Sequence, residues 1–384
     1  MPLFKIESSK KAYSLNSPEI INILTNQNNG YVSASQAMHN SDLYSLIWQL
    51  SSDIAVTQFH AETNRMQAMI DNPDSNTNGF SFWVFTAAQL LLNGQAFIYR
   101  RRNVNGVDMR WEGLRPSQVQ TQMLEDGSGL VYNINFDEPD IEPLQNVPQG
   151  DVLHFRLLSK NGGKTGISPL MSLKDEFNIK DASNRLTLNS LSKSVEAPGI
   201  LTIQGGGLLN WKKKAARSRE FMKQVNSSDN GPVVLDDLES YQPLEIKSDV
   251  AKLLSQADWT GKQIAKVYGV PDSILNGQGD QQSSIAMMGG QYAKALNRYV
   301  KSITSELNAK LHTKIVADIR PAIDATGDQF ADTIGSLAKN DVIAMNQATY
   351  VLQKAGYLPD RLPEAQLKGG ESNEKDSDER NRNT

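Results

Sequence analysis

The chain has 384 residues, 39 Lys and Arg against 43 Asp and Glu, a formal net charge of −4 and an apolar share of 39%. At roughly 100–200 residues per domain this length predicts two or three domains with a real core, and the near-balanced charge argues against a protein whose main affinity is for nucleic acid. With no Cys, a disulfide framework, a thiolate metal site and a Cys nucleophile are excluded, which leaves His39, His60, His154 and His312 as the imidazoles. Residues 1–10 lack the apolar stretch of a signal peptide, and no run approaches the ~18 apolar residues of a membrane span. The expectation is a protein of a reducing, aqueous compartment, with no membrane partner.

Residues 8–42 are dominated by Ser, Asn and Gln, too polar to offset the entropy of ordering, and predict a flexible arm over 1–40 with one short helix near 18–24. Leu43, Leu46, Ile47, Leu50 and Ile54 fall at helical spacing, and a second helix fits 80–93, with Asn72-Pro73-Asp74 as a turn between them. Ala96-Phe97-Ile98-Tyr99 opens a β region. In it Leu130, Tyr132, Ile134 and Phe136 alternate with Val131, Asn133 and Asn135, and a closing strand alternates Leu153, Phe155 and Leu157 with His154 and Arg156.

Ser168-Pro169 then reads as a helix start, a capping hydroxyl followed by a residue with no N–H to lose. The helix it opens, 168–195, is about 40 Å long at 1.5 Å per residue. Leu170, Leu173, Phe177, Leu188, Leu191 and Val195 lie on one face and Ile179, Ala182 and Leu186 on another, so it needs neighbours on two sides. A second long helix runs over 248–268 and stops at Gly269 and Pro271. Between the two lies a small insertion with a strand at 199–204, a basic helix at 210–225 and strands near 233–235 and 241–246. The polar run 276–284 has no apolar anchor and predicts a flexible loop. A third long helix is expected to run to Arg320 with Ile315 on its stripe and Gly289-Gly290 as a possible kink. One or two helices follow over 332–357, and the charged stretch 366–384 predicts a disordered tail.

Few residues suggest chemistry. Gly163-Lys164-Thr165 follows a strand and precedes a helix as a phosphate loop does, but the full pattern requires Gly where Leu158 stands. A degenerate nucleotidase using Lys164 and Thr165 is one alternative; a plain Gly-rich turn is the simpler reading. His154 has no second imidazole or carboxylate at ligand spacing and reads as a buried or edge histidine, and Asp236-Asp237 as a turn. Trp211, Lys212, Lys213, Lys214, Arg217 and Arg219 form a basic helix face that could meet phosphates or a protein partner, or could simply be solvated; a monomeric nucleic-acid binder using this face is the other alternative. Arg100-Arg101-Arg102 is equally open. Nothing predicts a catalytic residue, a metal or a cofactor.

The order of these pieces resembles the portal (head-to-tail connector) proteins of long-tailed bacteriophages. The resemblance is carried by Asn93-Gly94-Gln95-Ala96-Phe97, by Leu114-Arg115-Pro116-Ser117-Gln118-Val119, and most strongly by Asp151 to Arg156 followed by Gly166-Ile167-Ser168-Pro169-Leu170. Ala197-Pro198-Gly199-Ile200-Leu201, Tyr241-Gln242-Pro243-Leu244, Ile264-Ala265-Lys266-Val267-Tyr268-Gly269-Val270-Pro271 and Glu306-Leu307-Asn308 complete the series. The chain departs at Leu253-Leu254-Ser255-Gln256, where the family often carries an acidic and a basic residue.

The resemblance implies an α+β, elongated subunit. Residues 41–167 would be an α+β wing, 168–195 and 247–272 two stem helices, and 196–246 a small α/β clip. Residues 273–285 would be a tunnel loop, 286–320 a wing-spanning helix, 321–365 a helical crown and 366–384 the tail. It further implies a homo-oligomeric ring, usually a dodecamer, at a capsid vertex. In that ring Asn276, Gln278, Gln281, Gln282 and Ser283 would face double-stranded DNA, while the terminase large subunit, head-completion (adaptor) proteins and the major capsid protein would be partners.

Overall fold

The computed structural model describes residues 12–14, 34–137, 140–195, 199–204, 210–227, 235–237, 239–243, 250–276, 285–324, 326–359 and 361–362. The expected helix at 18–24, most of the loop 276–284 and the tail beyond 362 lie outside them. The chain divides into two compact units, 1–319 and 320–384.

In the first unit, β1 (Ala12–Ser14) is followed by α1 (Ser41–Val56), β2 (Gln58–Ala61), α2 (Asn64–Asp71) and α3 (Gly79–Asn93). The α1 stripe Leu43, Leu46, Ile47, Leu50 and Ile54 is buried as its spacing predicts and packs on α3. Asn40 caps α1, its Oδ1 accepting the N–H groups of Asp42 (3.0 Å) and Leu43 (3.3 Å). The sequence reading lacks α2 because only Ile70 of its eight residues is buried, which leaves no stripe to detect. The polar arm is also not wholly free: β1 pairs antiparallel with Gln122–Leu124.

Strands β3 (Gln95–Arg102), β4 (Asp108–Leu114), β5 (Val119–Leu124), β6 (Leu130–Ile134), β7 (Leu144–Pro148) and β8 (Val152–Arg156) build two antiparallel sheets, β4-β3-β8 and β1-β5-β6-β7. Across β3 and β8, Phe97 pairs with His154 and Tyr99 with Val152. These side chains share one face and pack with Tyr132, Ile134 and Val147 of the second sheet. The opposite face meets helices, so Val152 through Phe155 are all buried, and His154, expected as a buried or edge histidine, is 1% exposed. Val131, expected on an outer face, is also buried, flanked across the second sheet by Gln122 and Pro148.

After β8, Ser168 caps as predicted, its Oγ accepting from the Leu170 N–H (3.2 Å) while donating to the Leu92 carbonyl (2.6 Å). The first turn is a tight 3-10 segment, Pro169–Leu173, and the α-helix proper, α4, spans Lys174–Val195. Beyond it come β9 (Gly199–Ile203), α5 (Trp211–Ser227), β10 (Glu239–Pro243), α6 (Val250–Tyr268), α7 (Ile285–Leu311) and β11 (Ile315–Asp318). Helix α7 continues through Gly289-Gly290 but ends nine residues short of the expected Arg320. Asn308 bonds both backbone groups of Ile315 with its amide (2.6 and 3.0 Å), His312 takes a left-handed φ of 50°, and Ile315 joins a strand paired with β2 instead of extending the helical stripe.

Two glycines of the sequence motifs have a steric reason. Gly94 (φ 71°) ends α3, and a Cβ there would sit 2.0 Å from the Ile167 carbonyl oxygen; a Cβ on Gly166 would sit 1.9 Å from the Gly94 oxygen. The end of α3 and the entry to α4 therefore touch backbone to backbone.

The second unit holds α8 (Asp328–Lys339) and α9 (Met345–Lys354), joined by a core of Ile334, Ala338 and Ala348 with Phe330 and Val351 packed against it.

Candidate functional site

The segment Gly163-Lys164-Thr165 is closed on itself. Asn161 Nδ2 donates to Thr165 Oγ1 (2.8 Å), Asn161 Oδ1 accepts the Thr165 N–H (3.0 Å), Ser159 Oγ accepts the Gly163 N–H (3.0 Å), and Arg156 holds the Gly163 carbonyl (3.0 Å). The Gly163 and Thr165 N–H groups are thus taken by neighbouring side chains, and no helix starts at Thr165. The loop is a structural turn.

His154 stacks on Phe97 with centroids 4.2 Å apart. Its Nε2 lies 3.2 Å from Gln95 Oε1, an acceptor, and its Nδ1 lies 3.1 Å from the Tyr132 hydroxyl. Nε2–H donates to Gln95 and Nδ1 accepts from Tyr132, which describes a neutral imidazole. Burial pushes its pKa well below the usual histidine range, and the cations of Arg156 and Lys310 push the same way. Burial likewise raises the Tyr132 hydroxyl, so it remains a donor. The outer edge of β8 is covered by α7: Glu306 accepts the His154 backbone N–H (3.1 Å), Ser302 donates to the Arg156 carbonyl (2.7 Å), and Lys310 donates to the Val152 carbonyl (3.0 Å). Burial lowers the Lys310 pKa, opposed by Glu306 at 3.4 Å.

Each member of the Arg100-Arg101-Arg102 run is matched to a carboxylate. Arg100 binds Asp108 in a forked pair (3.0 Å) and also the Gly150 carbonyl (2.8 Å), while Asp108 accepts from the Trp111 indole (2.9 Å). Arg101 pairs with Glu112 (2.6 Å) and Arg102 with Asp151. The run is an internal ion-pair network and presents no phosphate site.

The basic helix face is split. Arg217 forks onto Glu239 of β10 (2.6 Å for both bonds) and reaches Glu220 (3.1 Å), which ties α5 to the antiparallel β9–β10 pair beside the Phe221–Tyr241 ring contact. These bonds hold the Glu239 pKa below its ordinary value and raise that of Arg217. Lys212, Lys213, Lys214 and Arg219 are exposed, as is Trp211, with Lys212 Nζ 5.8 Å from the Trp211 ring centroid. Asp236 and Asp237 are exposed in the turn before β10, where the Asp236 carbonyl accepts the Glu239 N–H (2.8 Å).

Of the five polar residues expected in the loop, Asn276 ends a short helical turn, Ser273–Asn276, and Gln278, Gln281, Gln282 and Ser283 lie outside the described residues. The flanks of that loop are firmly held by tyrosines the sequence reading did not single out. Tyr268 donates to the Leu91 carbonyl (3.1 Å), Tyr299 to the Tyr268 carbonyl (2.7 Å), and Arg298 to the Gly269 carbonyl (2.9 Å). On the other flank Tyr292 donates to Asp53 of α1. Burial raises the pKa of all three tyrosines, that of Tyr299 to about 12, and raises Asp53 against the opposing Tyr292 bond. The available signal was a tyrosine on each apolar stripe.

The family model for phage portal proteins matches residues 33–333. The chain belongs to the phage portal protein family. Solved structures share its fold. A chain in the neck of a native gene transfer agent particle, computed with C12 symmetry, matches with a TM-score of 0.61 at 13% identity, over 87% of this chain and 97% of that one. A chain of the native gene transfer agent virion matches with 0.60 at 15% identity over 82% and 93%. An HK97-family phage portal protein from Corynebacterium diphtheriae matches with 0.55 at 13% identity over 78% and 99%. No curated protein matches the chain. Among the described residues of this portal protein, no three His, Asp or Glu side chains are grouped to hold a metal, and no helix is long and apolar enough to cross a membrane.

Proposed function

We propose that this portal protein is the subunit of a closed ring, a dodecamer, at one vertex of a phage head, through which double-stranded DNA enters during packaging and leaves during ejection. The observation that carries the reading is the span of the family match, which takes in the sheets, both long helices α4 and α6 and the insertion between them. The role is structural, with no chemistry of its own. Residues 41–167 act as wing, α4 and α6 as stem, 196–246 as clip, α7 as the helix crossing the wing and 321–365 as crown.

The exposed Trp211, Lys212, Lys213, Lys214 and Arg219 of the clip meet acidic surfaces of head-completion proteins or terminase, and Arg217 holds their helix in place. Residues 273–285 face the DNA. Amide and hydroxyl groups at Asn276, Gln278, Gln281, Gln282 and Ser283 touch phosphates without adding positive charge, so the affinity that would halt sliding DNA is absent. The wing contacts the major capsid protein. Heads assembled without this chain are expected to stay empty of DNA in a packaging reaction; heads that fill equally well without it would overturn the reading.

A further inference from the structure

Helices α4 and α6 each bury one face inside the chain and leave another exposed, and the two exposed faces match. At 3.6 residues per turn, Asp175, Ile179, Ala182 and Leu186 share a stripe about 60° wide. It lies away from Leu173 and Phe177, which face the interior. All four stripe residues are exposed, Ile179 by 42% and Leu186 by 53%. On α6, Thr260, Ile264, Ala265 and Tyr268 are buried, while Trp259 (41% exposed), Lys262 and Lys266 form the outward stripe.

The two helices run antiparallel. Ser168, just ahead of α4, and Tyr268, at the end of α6, bond neighbouring carbonyls at the end of α3, those of Leu92 and Leu91. Starting from that shared end, α4 presents an acid at Asp175 and then apolar Ile179, Ala182 and Leu186. From the same end α6 presents the bases Lys266 and Lys262 and then Trp259. At 1.5 Å per residue Asp175 lies about 10 Å along α4 from that end and Lys262 about 9 Å along α6, so opposite charges stand at one level, with the apolar groups beyond. Rotation about a ring axis preserves each helix's direction along that axis, so α4 of one copy is also antiparallel to α6 of its neighbour.

Resting on the ring reading, we infer that the Asp175–Leu186 stripe of one copy seats on the Trp259–Lys266 stripe of the next. The contact joins two different patches and so repeats head to tail, as a closed ring requires. The exposed indole and the two aliphatic side chains favour a protein occupant over DNA, which would use the lysines alone.

The test uses the full chain, whose lack of Cys gives a clean background. The double variant Asp175→Cys, Lys262→Cys, treated with a copper–phenanthroline oxidant, is expected to yield a ladder of disulfide-linked multimers on a non-reducing gel. Disulfides form only where Cα atoms approach within about 4.4–6.8 Å. Asp175→Lys is expected to lower ring yield at least tenfold, and Asp175→Lys combined with Lys262→Glu to recover most of it, a rescue that a misfolded variant would not give. Wild-type rings without a ladder and with unchanged yield in Asp175→Lys would overturn the contact and leave the ring standing. A strictly monomeric wild type would overturn both. Intact rings in Lys262→Glu, Lys266→Glu with altered DNA passage alone would overturn the contact by assigning that face to DNA.

Discussion

Two basic clusters, Arg100-Arg101-Arg102 in β3 and Lys212-Lys213-Lys214 with Arg219 in α5, look alike as sequence and differ completely in the fold. Every guanidinium of the first is matched to a carboxylate supplied by β4 or the turn before β8: Asp108, Glu112 and Asp151. The second stands in water at the start of a helix, where the macrodipole disfavours cations. A cluster that stabilises the fold is consumed by it; one that is kept exposed against local electrostatics is available to partners.

The contrast can be broken in three ways. The largest effect is expected from Arg100→Met, which leaves Asp108 buried at 8% exposure with its charge uncompensated. A loss of about 3–5 kcal/mol in chemical denaturation is expected, and a loss under 1 kcal/mol would remove the ion-pair network from the account.

Next is the pH dependence set by His154, at the other end of the same sheet. Its pKa in the fold is depressed below the unfolded value, chiefly by burial, so on acidification the unfolded chain takes up the proton first. This contribution to stability is complete above about pH 6.5 and is lost as pH falls toward the folded value, at about 1.4 kcal/mol per unit. His154→Gln is expected to flatten that slope; an unchanged slope would show that His154 is not its source.

The smallest effect belongs to the second cluster. Replacing Lys212, Lys213 and Lys214 by Ala is expected to change stability by no more than about 0.5 kcal/mol, as for exposed surface positions, while weakening salt-sensitive binding of an acidic partner protein. A thermal melt that drops sharply in this variant would erase the contrast between the clusters.

How much was legible follows from the range of each contact. Local signals held. The α1 stripe, the Ser168 cap, the stop at Gly269 and Pro271, and the motif glycines Gly94 and Gly166 all act through spacing, capping or sterics within a few residues or at one contact point. Non-local partners were invisible. Nothing near Arg100 in sequence announces Asp108 as its buried partner, and His154 stayed open between a buried and an edge position because alternation does not reveal that a second sheet and helices cover β8. β4 escaped notice because Asp108, Arg110 and Glu112 interrupt its apolar pattern, although Trp111 is fully buried and those charges are ion-paired. The end of α7 was overrun because Ile315 continues the helical stripe by coincidence, and only the bonds from Asn308 show the chain turning into a strand. Of the candidate site, the basic helix face could be named, but its division into a tied Arg217 and exposed lysines depended on Glu239, 22 residues away.

Wing, stem and clip have a role only if this portal protein closes into a ring. Native mass spectrometry of the purified chain across several salt concentrations tests it most directly. A single dominant oligomer of fixed stoichiometry, twelve copies, is expected. A monomer at every concentration, or an open-ended series of chain lengths with no closed species, would contradict it.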